Sequence, residues 1–359
     1  MNSSTDLFDH LMTEFLNRMQ RWESDNYDAR RFSYDGVDRS KHFDLEKHKR
    51  YLCFVINRYG KLFETWQLLA DDASRLLFVE LILYRLMGHL HVRLKTNTPE
   101  YWATRERLRS LPREPSKLKF RGLFGPLEHF SGIDFAGEGI SADVWDVNVE
   151  YSFVFHQYHY DRDGVVIRPQ PGDHIADCGA CFGDTALAFA ACVKETGRVY
   201  TFEVQENLLA VIRHNIQQNP SLAPRIHLYP CAVGDVDTPD GSVYSDPKQA
   251  INPGFTLQGK EDSNLRTRTI DSLVDAGEIE RVDFIKMDIE GYELKALKGA
   301  EQSIRRFRPR LAISIYHQAA DFFEIPGYLH GLGLGYQFHL DHYTIFEEET
   351  ILYATPLRD

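Results

Sequence analysis

Apolar positions along the chain change their period twice. Near the start, Leu7, Phe8, Leu11, Phe15 and Met19 recur every three or four residues, the spacing of an amphipathic helix. Two more long helices are predicted over 51–69 and 73–94. The second is apolar nearly all round and is therefore expected to be covered by neighbours. Between Gly122 and Gly139, glycine, proline and aromatic residues replace that rhythm and mark a connection. The run 144–160, rich in Val, Phe and Tyr, reads as extended.

From Val165 onward, short apolar runs alternate with helical ones. Strands are predicted at 165–167, from Ile175 into Asp177, and at 199–202, 226–229, 282–287 and 311–315. Helices are predicted over 185–193, 207–218 and a stretch closing near Ala300. Such alternation predicts an α/β fold with a parallel, doubly wound sheet. Two last strands, 336–340 and 350–354, flank the polar turn 342–349, and the Gly-, Pro- and Asp-rich run 237–265 reads as an excursion with short edge strands. The chain thus divides into a mainly helical region, 1–125, and an α/β domain, 126–359.

One stretch organises the second part: DHIADCGACFGDTALAFAACVKETGRVYTFE, residues 173–203. It reads as strand, glycine-bearing turn, helix and strand, closed by an acid. A βαβ unit of this kind brings backbone close to a ligand across its first turn. Glu203 then ends the second strand where ribose hydroxyls of a nucleotide-like ligand lie. The glycines are spaced Gly179-x-x-x-Gly183 behind Asp177, unlike the G-x-G-x-x-G of a dinucleotide site. An acid at that place suits a ligand carrying an ammonium and a sulfonium and repels a pyrophosphate. S-adenosylmethionine fits and NAD fits poorly.

Ligands of open α/β sheets bind outside the C-terminal strand ends. That rule collects Asp177, Glu203, the loop 232–235, Asp288, Glu290 and His317 on one edge. Asp288, Glu290 and His317 are the acids and imidazole suited to chemistry there, as a general base with its orienting acid or as ligands of a divalent metal. The metal-free base is favoured because no dense acidic cluster accompanies them. Structural readings stand beside these: Asp288 can cap the following helix, and Glu290 and Glu293 occupy its first turn. His156, Tyr158 and His159 are read as substrate contacts or as aromatic packing.

Composition narrows the classes. A chain of 359 residues, 43% apolar and 13% aromatic, holds one large domain or two ordinary ones with an ample core. A net charge of −12 and a pI near 5.7 speak against a general nucleic-acid binder. No basic and apolar leader opens the sequence, and the most apolar run, 76–90, is broken by Glu80, Arg85 and His89, so neither a secretory signal nor a membrane span is expected. Five cysteines without framework spacing point to a reducing cytoplasm. Cys178 and Cys181 form a C-x-x-C that lacks a second pair and is read as packing. The basic run Arg105, Arg107, Arg109, Arg113, Lys117, Lys119 and Arg121 serves an anionic acceptor or is a solvated face.

The ordered set DCGACFGDTA, VYTFE, CAVGD, RTIDSL, FIKMDIEGYELKALKGA and RPRLAISIYH, from about residue 163 to the end, resembles the FkbM-type S-adenosylmethionine-dependent methyltransferases. The resemblance implies a seven-stranded Rossmann-like methyltransferase sheet whose last strand is antiparallel. It implies S-adenosyl-L-methionine as cofactor. Asp177, Gly179, Ala180 and Gly183 then face its methionine portion, Glu203 and Val204 its ribose, and Ala232 and Val233 its adenine, with Asp288 close by. It also implies O-methyl transfer to a hydroxyl of a sugar, glycan or natural-product acceptor. Residues 1–125 would serve the acceptor side or a homodimer interface. Two other readings are an NAD-dependent oxidoreductase and a non-catalytic cofactor-binding scaffold. The first is disfavoured by the glycine spacing and by Ala296 standing where a Tyr-x-x-x-Lys pair from Tyr292 would need lysine.

Overall fold

A computed structural model describes residues 1–357 except 24, 33–37, 123 and 240–265, so most of the 237–265 excursion lies outside the described residues. The chain packs as two compact units, Met1–Ala103 with Ile315–Asp359, and Thr104–Ser314.

In the first unit, helix α1 (Ser4–Arg18) opens on a capping box between Ser3 and Asp6 and buries Leu7 and Leu11. Helix α2 (Leu45–Leu68) is capped by Asp44 and helix α3 (Asp72–Met87) by Asp71. Helix α3 is buried along most of its length, as its all-round apolar pattern predicts. It stops short of Leu94 because Gly88 takes φ 73°, a left-handed backbone that ends helices. Its Arg85 is buried too, donating to the carbonyls of Tyr316 and Glu347 at 3.0 Å each, with its guanidinium 4.9 Å from the Phe322 ring. An antiparallel pair completes this unit, β6 (Tyr336–His342) and β7 (Thr350–Pro356). Strand β6 is tied to the α3 cap, with His339 Nδ1 2.7 Å from the Asp71 carboxylate and the Leu340 amide donating to Ser74 at 2.9 Å.

The second unit is built on five parallel strands: β1 (His174–Cys178), β2 (Arg198–Phe202), β3 (Ile226–Tyr229), β4 (Phe284–Met287) and β5 (Arg310–Ser314). They are ordered β3-β2-β1-β4-β5. Reversal of the order on either side of β1 makes its C-terminal end the switch point where ligands bind in such sheets. Helices α4 (Asp184–Val193) and α5 (Glu206–Gln218) connect β1 to β2 and β2 to β3. With the closing antiparallel pair, the seven expected strands are those of a doubly wound, mostly parallel methyltransferase-type sheet.

The run 144–160 is not extended. After the strand Glu138–Val144 it forms a short helix, Asp146–Val149, that widens into a π-helical turn, Glu150–Val154. Apolar and polar residues alternate over 145–153, the period of a strand, so the local pattern misleads. Contacts decide: Asn148 and Ser152 stand four apart, one helical turn, and both donate to Asp184, at 3.3 and 2.5 Å. Glu150 is buried in an ion pair with Arg105 at 2.9 Å, which removes Arg105 from the solvated basic face expected of its neighbours.

Candidate cofactor and catalytic site

The first turn of the βαβ unit is shaped by its glycines. Gly179 has φ +83°, and a Cβ built on it would lie 1.9 Å from the backbone oxygen of Asp288. Its small size is needed by protein backbone passing overhead, so this position explains itself before any ligand is considered. Gly183, φ +82°, caps α4, with Ile212 3.3 Å from where its Cβ would stand. Ala180 is buried, its amide held by the Phe202 carbonyl at 3.2 Å.

Asp177 lies wholly inside. Thr185 Oγ1 donates to both its carboxylate oxygens at 3.1 and 3.0 Å, and the Lys286 ammonium is 3.3 Å away. Burial pushes the Asp177 carboxyl up, and Lys286 opposes this. Lys286 is itself buried, and burial pulls its ammonium down. The carboxylates of Asp177, Asp288 and Asp184 outweigh that and hold it above the ordinary lysine value. Its Nζ donates to the carbonyls of Cys178 and Gly179, and it sits 5.2 Å from the centre of the Tyr158 ring. The sequence reading missed Lys286. The available signal is a lone cation in the otherwise apolar strand Phe-Ile-Lys-Met, where a charge needs a partner.

Asp288 leaves β4 beside this turn, its amide donating to Cys178 at 3.0 Å. Its Oδ2 accepts a hydrogen bond from the Tyr158 hydroxyl at 2.8 Å. Of the three aromatic candidates before the turn, Tyr158 is thus the one brought to Asp288. His156 and His159 pack against Phe135 at 5.3 and 6.0 Å, and burial drives the His159 imidazole down to about 3, so it stays neutral.

Glu203 is buried at the end of β2. Its carboxylate accepts from the amides of Cys181 at 3.2 Å, Val204 at 2.7 Å and Gln205 at 3.0 Å. Burial pushes its carboxyl up, and these amides counter that. Ala232 and Val233 form a two-residue parallel bridge with Thr267 and Arg268. Glu290 sits in a left-handed turn, φ 56°. The fully buried acid of that segment is Glu293, which accepts from the Ile289 amide at 2.8 Å and so closes the start of its own helix. His317 comes three residues after β5 and falls in the other unit, beside Tyr316 at a ring separation of 4.1 Å. Burial pushes the thiols of Cys178 and Cys181 up, away from thiolate reactivity. Among the described residues no helix is long and apolar enough to cross a membrane.

Residues 177–338 match the methyltransferase FkbM domain. Among solved structures, a methyltransferase FkbM from Methylobacillus flagellatus is 23% identical with a TM-score of 0.52, covering 84% of this chain and 60% of its own. This chain therefore spans less than two thirds of that protein. A precorrin-6y C5,15-methyltransferase from Geobacter metallireducens is 15% identical, with TM-score 0.32, covering 53% of this chain and 82% of that one. A fibrillarin from Aeropyrum pernix, with natively bound S-adenosyl-L-methionine, is 12% identical, with TM-score 0.34, covering 68% of this chain and 98% of that one. No curated protein matches the sequence. The glycine turn, the acid closing β2 and the acid leaving β4 all lie within the segment 177–338 that matches the methyltransferase FkbM domain.

Proposed function

We propose that the protein is an S-adenosylmethionine-dependent O-methyltransferase acting on a hydroxyl of a sugar, glycan or natural-product acceptor. The observation that carries this is the seating of Asp288 over the Gly179 turn in a chain with a methyltransferase FkbM domain. The donor set fits a cationic nucleoside: among the described residues, Asp177, Asp288, Asp184 and Glu203 surround the Lys286 ammonium at this turn, leaving an excess of carboxylate. When bound, the cofactor supplies a methyl group on a sulfonium.

In this reading Glu203 and Val204 hold the ribose end, and Ala232 and Val233 border the adenine. The turn Gly179–Gly183 with Asp177 and Asp288 receives the methionine end. Strands β4 and β5 run parallel with Met287 opposite Ile313, so Asp288 leaves the sheet beside the strand whose chain carries His317 three residues past its end. In this reading His317 takes the proton of the acceptor hydroxyl. The cofactor, held by these residues, would supply its methyl group to the acceptor oxygen so prepared. Positioning of donor and acceptor can supply about 7–11 kcal/mol of the barrier reduction. Residues 1–125 are assigned to the acceptor side or a homodimer interface, which analytical ultracentrifugation of the full chain distinguishes.

Calorimetric titration with S-adenosylhomocysteine and with NAD tests the cofactor assignment. Binding of the first alone is expected, and NAD binding without S-adenosylhomocysteine binding would overturn it. Screening sugars and polyhydroxylated natural products for S-adenosylhomocysteine release tests the acceptor class. Transfer confined to nitrogen acceptors would sink the O-methyl assignment.

A further inference from the structure

Tyr158 joins two features that the mechanism above leaves unconnected. It is buried, with φ +79°, a backbone conformation that is strained for a tyrosine and persists only when its surroundings hold it there. The π-helical turn Glu150–Val154 precedes it, and the Gln157 amide is tied back to the Tyr151 carbonyl at 2.9 Å. Insertions of this kind often re-aim side chains at functional sites. The aimed group is the phenol. Its ring lies over the Lys286 ammonium at 5.2 Å and against Phe189 at 6.2 Å, and its hydroxyl donates to Asp288 Oδ2 at 2.8 Å. Lys286 in turn pairs with Asp177 and donates to the carbonyl of Gly179, the residue over which the Asp288 backbone oxygen sits.

We propose that Tyr158 is a positioning residue that fixes the Asp288 carboxylate toward the methionine end of the cofactor, with Lys286 holding the ring from beneath. The inference rests on the cofactor assignment given above. A hydrogen bond from the phenol occupies one carboxylate oxygen and fixes the plane of the group. The other oxygen is thereby presented to the ligand's ammonium in one orientation, and the rotamer freedom that binding would otherwise remove is already lost.

Two probes separate this role from simple packing: S-adenosylhomocysteine, which carries the amino-acid end, and 5′-methylthioadenosine, which lacks it. Tyr158→Phe keeps the ring on Lys286 and Phe189 and removes only the hydroxyl. It is expected to weaken S-adenosylhomocysteine about tenfold, the order for losing a hydrogen bond to a charged group. Binding of 5′-methylthioadenosine should change by less than about twofold, a shift too small to register as a lost hydrogen bond. In the background of Asp288→Asn, Tyr158→Phe should have little further effect, since residues acting through one another are non-additive. Equal weakening of both probes, unchanged S-adenosylhomocysteine affinity, or losses that multiply in the double variant would each overturn the proposal. An unmodified protein that binds neither probe would instead overturn the cofactor assignment. Thermal unfolding of Tyr158→Phe, run beside the titrations, guards against general loss of structure. If that variant fails to fold, 3-fluorotyrosine at position 158 replaces it. A stronger donor should then tighten S-adenosylhomocysteine alone, and no change would count against the role.

Discussion

Gly179 and Asp288 are interlocked. A Cβ on Gly179 would lie 1.9 Å from the Asp288 backbone oxygen and 3.0 Å from Ile289 Cγ2, and the glycine itself sits at φ +83°. Gly179→Ala therefore meets both a strained backbone and a clash with main chain, which cannot rotate away as a side chain can. We expect a loss of stability above about 2 kcal/mol, read from the denaturant midpoint. A variant as stable as the parent would mean that the segment after β4 moves aside freely.

Glu203 holds the loop after β2 through three backbone amides and is proposed to hold the ribose. Glu203→Ala should weaken S-adenosylhomocysteine by about 1.5–3 kcal/mol. Because the ribose is common to both probes, 5′-methylthioadenosine should lose affinity equally. Selective loss of the amino-acid-bearing probe would place Glu203 elsewhere.

His317 is the proposed base. With a turned-over acceptor in hand, His317→Ala should lower the rate of methyl transfer about a hundredfold or more while leaving S-adenosylhomocysteine affinity near its parent value. Activity should survive exhaustive treatment with EDTA. Loss on chelation that magnesium or manganese restores would move Asp288, Glu290 and His317 into the role of metal ligands. Full activity of His317→Ala excludes both roles.

Asp184 carries a pH dependence of its own. Burial raises its carboxyl from 3.8 to about 6, against the hydrogen bond from Ser152. The folded state therefore binds this proton more tightly than the unfolded chain does. The resulting stabilisation is fully present below pH 3.8 and is lost as pH rises through about 6, with a span of about 3 kcal/mol. Asp184→Asn should flatten the stability profile between these values. Urea melts at several pH values check this, and an unchanged slope in the variant would assign the dependence to other groups.

The sequence by itself determined the alternation of strands and helices, the glycine-bearing first turn, and the acids that end β2 and follow β4. These follow from local rules: hydrophobic period, the φ that only glycine takes at no steric cost, and strand ends that deliver what comes next. The burial of α3 was legible on the same grounds. Tertiary structure alone decided which charges meet. Lys286 looks in sequence like a misplaced cation, and only the parallel pairing of β4 with β1 brings it to Asp177. Tyr158 stands 130 residues from Asp288 and reaches it through a helical segment that propensity assigns to a strand. Glu290 and Glu293 are indistinguishable as acids in a first turn, and the Ile289 amide falls to Glu293, while Glu290 sits in a left-handed turn. Gly179 appears in sequence as room for a ligand, yet the room is taken by backbone from 109 positions further along. Side-chain partners at such separations leave no local period, so folding, not pattern, assigns them.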